Sequence, residues 1–193
     1  MIGGLILAAG GSSRMGQDKA LLDFRGRSFL ETAVVTLRSA GAEPIVVVLG
    51  HHEGEIRRAV NLEGAKVVIN ENYSLGQTSS LQTGLRALAG SKVEAVVLWL
   101  VDHPAVSAET VARLITEFRK SSAPVVIPRY RGERGHPVMI SRVLFEELFQ
   151  LAPGQAGNTV IRKHRGETAW IDVDDPGVRL DIDDPEEYRN LKA

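Results

Sequence analysis

Cysteine is absent from the 193-residue sequence. Its absence excludes disulfides, thiolate nucleophiles and cysteine-ligated zinc, and it fits a reducing, cytoplasmic compartment. A basic excess is also missing. The formal net charge is −1, which disfavours a long nucleic-acid track, because such binders neutralise many phosphates. No apolar run approaches the ~20 residues that a membrane-spanning helix needs. The N-terminal MIGGLILAAG is apolar but has no basic leader region, and Arg14 closes the run, so it reads as a buried strand. What is present is ordinary for a globular chain, with 44% hydrophobic and 24% charged residues. A chain of this length buries roughly 70% of its unfolded surface when it folds as one domain.

Strand-like and helix-like segments alternate. Leu5–Ala9, Pro44–Leu49, Ala65–Ile69, Ala95–Val101 and Pro124–Ile127 are short apolar runs, most of them β-branched, and read as strands. Phe29–Ser39 places Leu30, Ala33, Val34 and Leu37 at helical spacing and stops at Gly41. Glu53–Val60, Thr78–Leu88 and a segment capped by Ser107 and running to about Lys120 also read as helices. Near-continuous apolar strands separated by helices predict a doubly wound, mostly parallel, Rossmann-like α/β sheet covered on both faces. In the second half a helix starts near Ser141, and Thr168–Val173 and Val178–Asp183 are expected as short strands. Asp184-Pro185-Glu186-Glu187 carries an Asp cap, a first-turn Pro and a Glu three residues after the cap, which together start a helix. With no repeat, low-complexity stretch or linker, residues 1–193 are expected to form a single domain.

Chemistry enters at Leu5–Leu22, LILAAGGSSRMGQDKALL. In a doubly wound sheet, ligands bind outside the carboxyl ends of the strands, so the loop after the first strand sits where a nucleotide would. The dinucleotide fingerprint G-x-G-x-x-G is missing. The P-loop pattern is half met, since Gly11 and Gly16 have the spacing, but Gln17 stands where its lysine belongs. Arg14 and Lys19 nonetheless place two cations behind a loop of little but backbone, which suits a phosphate.

The stretch Leu7–Lys19 resembles the LA[AG]G-x-S-x-R-M-G-x-x-K signature of the MobA-like nucleotidyltransferases, with every fixed position filled. The resemblance covers nearly the whole chain. It implies that the backbone of Leu7, Ala8, Ala9, Gly10 and Gly11, with Ser12 and Ser13, holds a nucleoside triphosphate whose phosphates Arg14 and Lys19 balance. GQTSSLQTGL (Gly76–Leu85) is similar to the family's second segment, which implies that Ser79 and Ser80 help hold base and sugar. Thr78 replaces the usual first serine there. VDHP puts Asp102 at the family's D-x-P position, and Asp183 in LDIDDPEEY matches its second acidic position; Asp181 is the weaker partner, and Asp184 is better explained as the helix cap. Two such hard oxygen donors suit Mg²⁺, which keeps waters and binds substrate phosphates alongside one or two carboxylates.

RYRGERGHPVM (Arg129–Met139) matches the family's G-x-R-G-H-P, which implies acceptor contacts by Arg134 and His136, with Arg129 and Arg131 adding positive potential. His51, His52 and His164 carry no motif and read as surface residues. Gly157-Asn158-Thr159 departs from the Gly-Ala-Arg that relatives carry at that place. The implied division of labour is an N-terminal nucleotide-binding part and a C-terminal acceptor-binding part, with Lys19, Arg14 and Asp102 as the catalytic set. Ala9, giving LAAG rather than LAGG, is similar to the cytidylyltransferases of molybdenum cofactor maturation. The resemblance therefore implies CTP and molybdopterin, or its molybdenum form, as substrates, and transient contact with a molybdoenzyme or its chaperone. Another nucleotide with a sugar or alcohol phosphate, or a non-catalytic nucleotide-binding chaperone, are the alternatives.

Overall fold

A computed structural model describes residues 1–11 and 15–192. Ten strands are described: β1 (Ile2–Ala8), β2 (Asp23–Phe24), β3 (Arg27–Ser28), β4 (Ile45–Leu49), β5 (Ala65–Ile69), β6 (Ala95–Leu100), β7 (Val125–Tyr130), β8 (Glu133–Arg134), β9 (Val138–Ser141) and β10 (Thr168–Asp172). The α-helices are α1 (Phe29–Ser39), α2 (Glu53–Ala59), α3 (Gln77–Ala89), α4 (Ala108–Ser121), α5 (Phe145–Phe149), α6 (Asn158–Lys163) and α7 (Pro185–Lys192). No described helix is long and apolar enough to cross a membrane.

The main sheet runs β10-β7-β9-β6-β1-β4-β5, with β8 paired to β7. All neighbours along that path are parallel except β9, which is antiparallel to both β6 and β7. The doubly wound, mostly parallel sheet expected from the sequence is therefore present. Every residue of β1 is buried, because side chains that alternate along a strand meet a helix layer on each face. Ile6 packs in the layer of α1 and α4, whereas Leu5 and Leu7 pack in that of α3, α5 and α6. At Gly84 of α3 a Cβ would lie 2.2 Å from Leu5 Cδ1, so the missing side chain is what lets this helix seat on the sheet.

The chain builds outward from β1 to β4 and β5, then returns to β6 on the other side of β1. The order reverses between β1 and β6, which makes the crevice at their carboxyl ends the expected ligand site.

Two expectations fail. Val178–Asp183 is no strand: Pro176–Arg179 forms a 3₁₀ turn, and the chain then continues without pairing. Gly177 is pressed against the Ala105 backbone, where a Cβ would come within 2.4 Å of the carbonyl oxygen, and Val178 gives its carbonyl to the His136 N–H at 2.7 Å. The segment is held by loop contacts and has no ladder to join. His51 and His164 are half-buried rather than surface residues. His51 packs edge-on against Tyr73, and His164 sits between Glu147 and Glu167.

Candidate active site

At the switch point β1 and β6 end side by side, with Leu7 paired to Leu100 and the Val101 N–H donating to the Leu7 carbonyl at 3.2 Å. The chain leaves β1 through Ala8, Ala9 and Gly10, and leaves β6 through Val101 and Asp102. These residues form the floor of a cleft of about 330 Å³. Gly10 and Gly11 are exposed, so their backbone is open to a ligand. Gly16 closes the loop at φ +71°, in the left-handed region that favours glycine. Ser12, Ser13 and Arg14, expected in this loop, lie outside the described residues.

Lys19 opens a short 3₁₀ turn, Lys19–Leu21, which Asp18 caps by accepting from the Ala20 N–H at 2.9 Å. From there its Nζ lies 2.6 Å from Asp183 Oδ1 and 3.6 Å from Asp102 Oδ2. Asp183 is far from Asp102 in sequence, and Ile182 joins them. Its N–H donates to the Asp102 carbonyl at 2.9 Å. Its side chain is fully buried in a cluster with Met15, Leu22, Phe24 and Phe29. The N–H of Asp183 is taken by Glu187 Oε2 at 2.6 Å, the same carboxylate that completes the cap of α7. The three residues singled out from separate motifs thus converge on one point.

Burial pushes the Asp102 carboxyl up from its ordinary range, Asp183 adds to the rise, and Lys19 opposes it. Asp102 Oδ1 is buried and has no hydrogen-bond partner among the described residues, the His103 Nε2 standing 3.8 Å from it. A buried carboxylate oxygen without a donor needs a cation or water. Two converging carboxylates with one orphaned oxygen therefore suit a hard divalent cation. Among the described residues no cluster of three or more His or acidic groups is placed to hold a metal, so such an ion would complete its shell with water and substrate oxygens.

The second motif is only partly at the cleft. Ser80 is buried in the cleft wall, and Gly76 and Gln77 bring the N-terminus of α3 to its rim, where backbone amides favour an anion. The Ser79 hydroxyl instead lies 2.9 and 2.7 Å from the Asn72 and Gly76 carbonyls. The Thr78 hydroxyl donates to the Gln155 carbonyl. Asn70 donates to both Ser79 and Ser80, at 2.8 and 2.9 Å, and fixes the start of α3. Asn70 and the cleft-lining Asp18, Tyr73 and Gln77 were missed in the sequence. Asn70, Asp18 and Tyr73 lie in loops and turns with no periodic pattern and Gln77 opens α3, and the one available signal was the position of Asn70 directly after a strand.

A second cavity of about 270 Å³ adjoins the first and shares Leu7, Gln77 and Leu100 with it. Arg134, His136 and Asn158 line it. Burial drives the His136 pKa down to about 4, helped by His103 and Arg134 and opposed by Asp102, so the imidazole is neutral at pH 7. Gly135 is required by contact, because a Cβ there would lie 2.3 Å from the Val178 carbonyl oxygen. Of the three arginines expected here, only Arg134 lines this cavity. Arg129 is neutralised by Asp172 through two bonds of 3.0 Å, and Arg131 is exposed beside Tyr130. Asn158, in the stretch that departs from the expected pattern, begins α6 and accepts a long 3.4 Å bond from Arg134.

Residues 4–168 match the MobA-like NTP transferase domain. The sequence is 35% identical to the nicotine blue oxidoreductase of Paenarthrobacter nicotinovorans, over 97% of this chain and 95% of that protein. It is 26% identical to the molybdenum cofactor cytidylyltransferase of Escherichia coli K12, over 97% and 94%. Among solved structures, that of Rv0371c from Mycobacterium tuberculosis H37Rv in complex with manganese matches with a TM-score of 0.83 and 30% identity, covering 98% of this chain and 97% of that one.

Proposed function

The chain belongs to the MobA-like NTP transferase family and is a nucleotidyltransferase, and from that premise we propose that it transfers CMP from CTP to the phosphate of molybdopterin, or of its molybdenum form. Pyrophosphate is the second product, Mg²⁺ the metal, and one domain carries both binding parts. The observation that carries the reading is Lys19 set between Asp102 and Asp183 at the end of β1 and β6. CTP is supported by Ala9 and by the likeness to a cytidylyltransferase. The metal is supported by the orphaned Asp102 oxygen and by the manganese complex of the 30%-identical structure.

An oxygen of the acceptor phosphate attacks the α-phosphorus of CTP. The bond from that phosphorus to the β-phosphate bridging oxygen breaks, and pyrophosphate leaves with the electron pair. A phosphate monoester with second pKa about 6 is largely dianionic at neutral pH, so no strong general base is needed. That matches a neutral His136 and the absence of a Ser/His/Asp set among the described residues. Asp102 and Asp183 would hold Mg²⁺, which supplies charge neutralisation across the phosphates. Lys19 keeps the two carboxylates together and offsets charge on the α-phosphate and pyrophosphate, with Arg14 assigned the same task. The backbone of Ala8 to Gly11, with Ser12 and Ser13 beyond it, and the start of α3 at Ser80 position the nucleotide. Arg134 and His136 receive the acceptor beside it.

Pyrophosphate release with Mg²⁺ and molybdopterin, compared for CTP, GTP, ATP and UTP, tests this. Turnover with CTP alone is expected. Preference for GTP, or for a sugar phosphate over molybdopterin, would overturn the substrates, and binding without release would leave a nucleotide-binding chaperone. The 35%-identical relative favours a second reading as an oxidoreductase. Turnover of nicotine blue, read as a change in its absorbance, would select it, although such a reaction leaves the paired carboxylates without a task.

A further inference from the structure

β4 ends at Leu49, beside the end of β1, and Gly50, His51 and His52 lead from it into α2. Gly50 is closely pressed. A Cβ there would lie 2.9 Å from the Ala9 carbonyl oxygen and 2.7 Å from Tyr73 Cβ, so bare backbone is what lets this turn lie against the nucleotide loop. The His51 N–H donates to the same Ala9 carbonyl at 3.2 Å. Its ring lies against Gly11, where a Cβ would be 3.5 Å from His51 Cγ.

His52 turns to the other end of that loop. Its Nδ1 stands 3.4 Å from Asp18 Oδ2, and that oxygen is buried with no hydrogen-bond partner among the described residues. The other oxygen, Oδ1, accepts from the Ala20 N–H and so caps the turn on which Lys19 stands. Burial pushes the Asp18 carboxyl up, while the Ala20 N–H, His52 and His51 oppose the rise. The two imidazoles meet edge-on with ring centroids 3.8 Å apart. One packed pair therefore touches Gly11 on one side and Asp18 on the other, bracketing the loop between them.

The backbone of His52 is itself unusual. It holds φ +56° and ψ 21°, in the left-handed region, which residues other than glycine seldom occupy. Capping of α2 does not account for it, because His52 sits at the cap position and makes no side-chain cap bond. Glycine would hold the same backbone freely, so what histidine adds here is its side chain.

We propose that His52, packed on His51, is a positioning residue for Lys19: it braces the buried Asp18, which in turn holds the turn that presents the ammonium. Its effect on rate rests on the nucleotidyl-transfer reading, but the brace itself can be measured without turnover. Two substitutions separate side chain from backbone. His52→Gly keeps the left-handed conformation and removes the imidazole. His52→Asn also tolerates that conformation and places an amide nitrogen on Cγ, where histidine carries Nδ1. Hydrogen exchange at the Ala20 amide, followed by NMR, is expected to be at least ~tenfold faster in His52→Gly and to return toward the original rate in His52→Asn, with the Val47 amide of β4 unchanged in both. The kcat for pyrophosphate release should fall about tenfold or more in His52→Gly, with the KM for CTP within about threefold, and recover in His52→Asn.

Full kcat in His52→Gly overturns the proposal, and so does unchanged exchange at Ala20. A loss that His52→Asn shares, or one that comes with a lower Tm and faster exchange at Val47, also overturns it, because His52 would then serve only the packing of α2. Faster exchange at Ala20, restored by asparagine, in a protein that transfers no nucleotide upholds the brace while the transfer reading falls. Transfer that is indifferent to His52→Gly does the reverse.

Discussion

Lys19, Asp102 and Asp183 are where single residues decide most. Lys19→Ala is expected to lower turnover by roughly 10²–10³, the effect of removing one charge-stabilising donor, read as kcat for pyrophosphate release. Unchanged turnover would sink the mechanism. His164 is a separate case, with no part in the chemistry. Hydrogen bonds to Glu167 and then Glu147, at 3.0 and 2.9 Å, raise its pKa above the ordinary 6.5. A raised folded-state value means that the imidazolium's contribution is complete below pH 6.5 and fades as pH rises through the folded value. The Tm difference between the unmodified protein and His164→Gln should therefore be largest near pH 6 and shrink toward pH 9. A constant difference would show that His164 acts by packing alone. That Lys19, Asp102 and Asp183 belong together was legible because each sits in a motif with fixed neighbours, and the structure brings them to one point. Of the two serines expected to help hold base and sugar, Ser80 lines the cleft, whereas the Ser79 hydroxyl bonds the local backbone and accepts from Asn70.

Elements with local stop and start signals were read to the residue. Phe29–Ser39 is one, because Ser28 and Glu31 cap each other's backbone at 3.1 and 2.9 Å. Ser28→Ala should cost about 1 kcal/mol in denaturant unfolding. Val178–Asp183 was misread because Val178, Leu180 and Ile182 alternate like a strand, while the structure follows Pro176 and the packing of Gly177 on Ala105. The two-residue strands β2 and β3 are shorter than any periodic signal and went unseen. Packing of α3 on β1 offers a stricter test. Gly84→Val would drive a Cβ into Leu5 and Val48, and overpacking of this kind costs about 1–3 kcal/mol. An unaltered unfolding midpoint would mean that α3 can lift from the sheet freely.

Across the whole molecule, the order of the strands was the least legible feature. Apolar runs predicted a parallel sheet, but nothing local marks β9 as the strand that enters antiparallel between β6 and β7, because strand pairing is a long-range event. The same holds for the site, whose second carboxylate arrives through Ile182 and the packing under α7. Ile182→Ala should cost about 2–5 kcal/mol, and kcat should fall while the side chains of the nucleotide cleft remain intact. Loss of stability with full activity would show that Asp183 is positioned by Glu187 alone.

The contacts of Lys19 also bear on how the nucleotide is held. Its ammonium lies 2.6 Å from the Asp183 carboxylate, so it acts as an internal counter-ion. An incoming triphosphate exchanges one ion pair for another instead of forming a first one. Ground-state affinity should then gain little from this lysine, and its effect should appear mainly in the rate. The Kd of Lys19→Ala for CTP is expected to stay within ~tenfold of that of the unmodified protein, about 1.4 kcal/mol, while kcat drops far further. The cleft would then work as an ion exchanger, in which the lysine trades carboxylate for phosphate and is paired throughout.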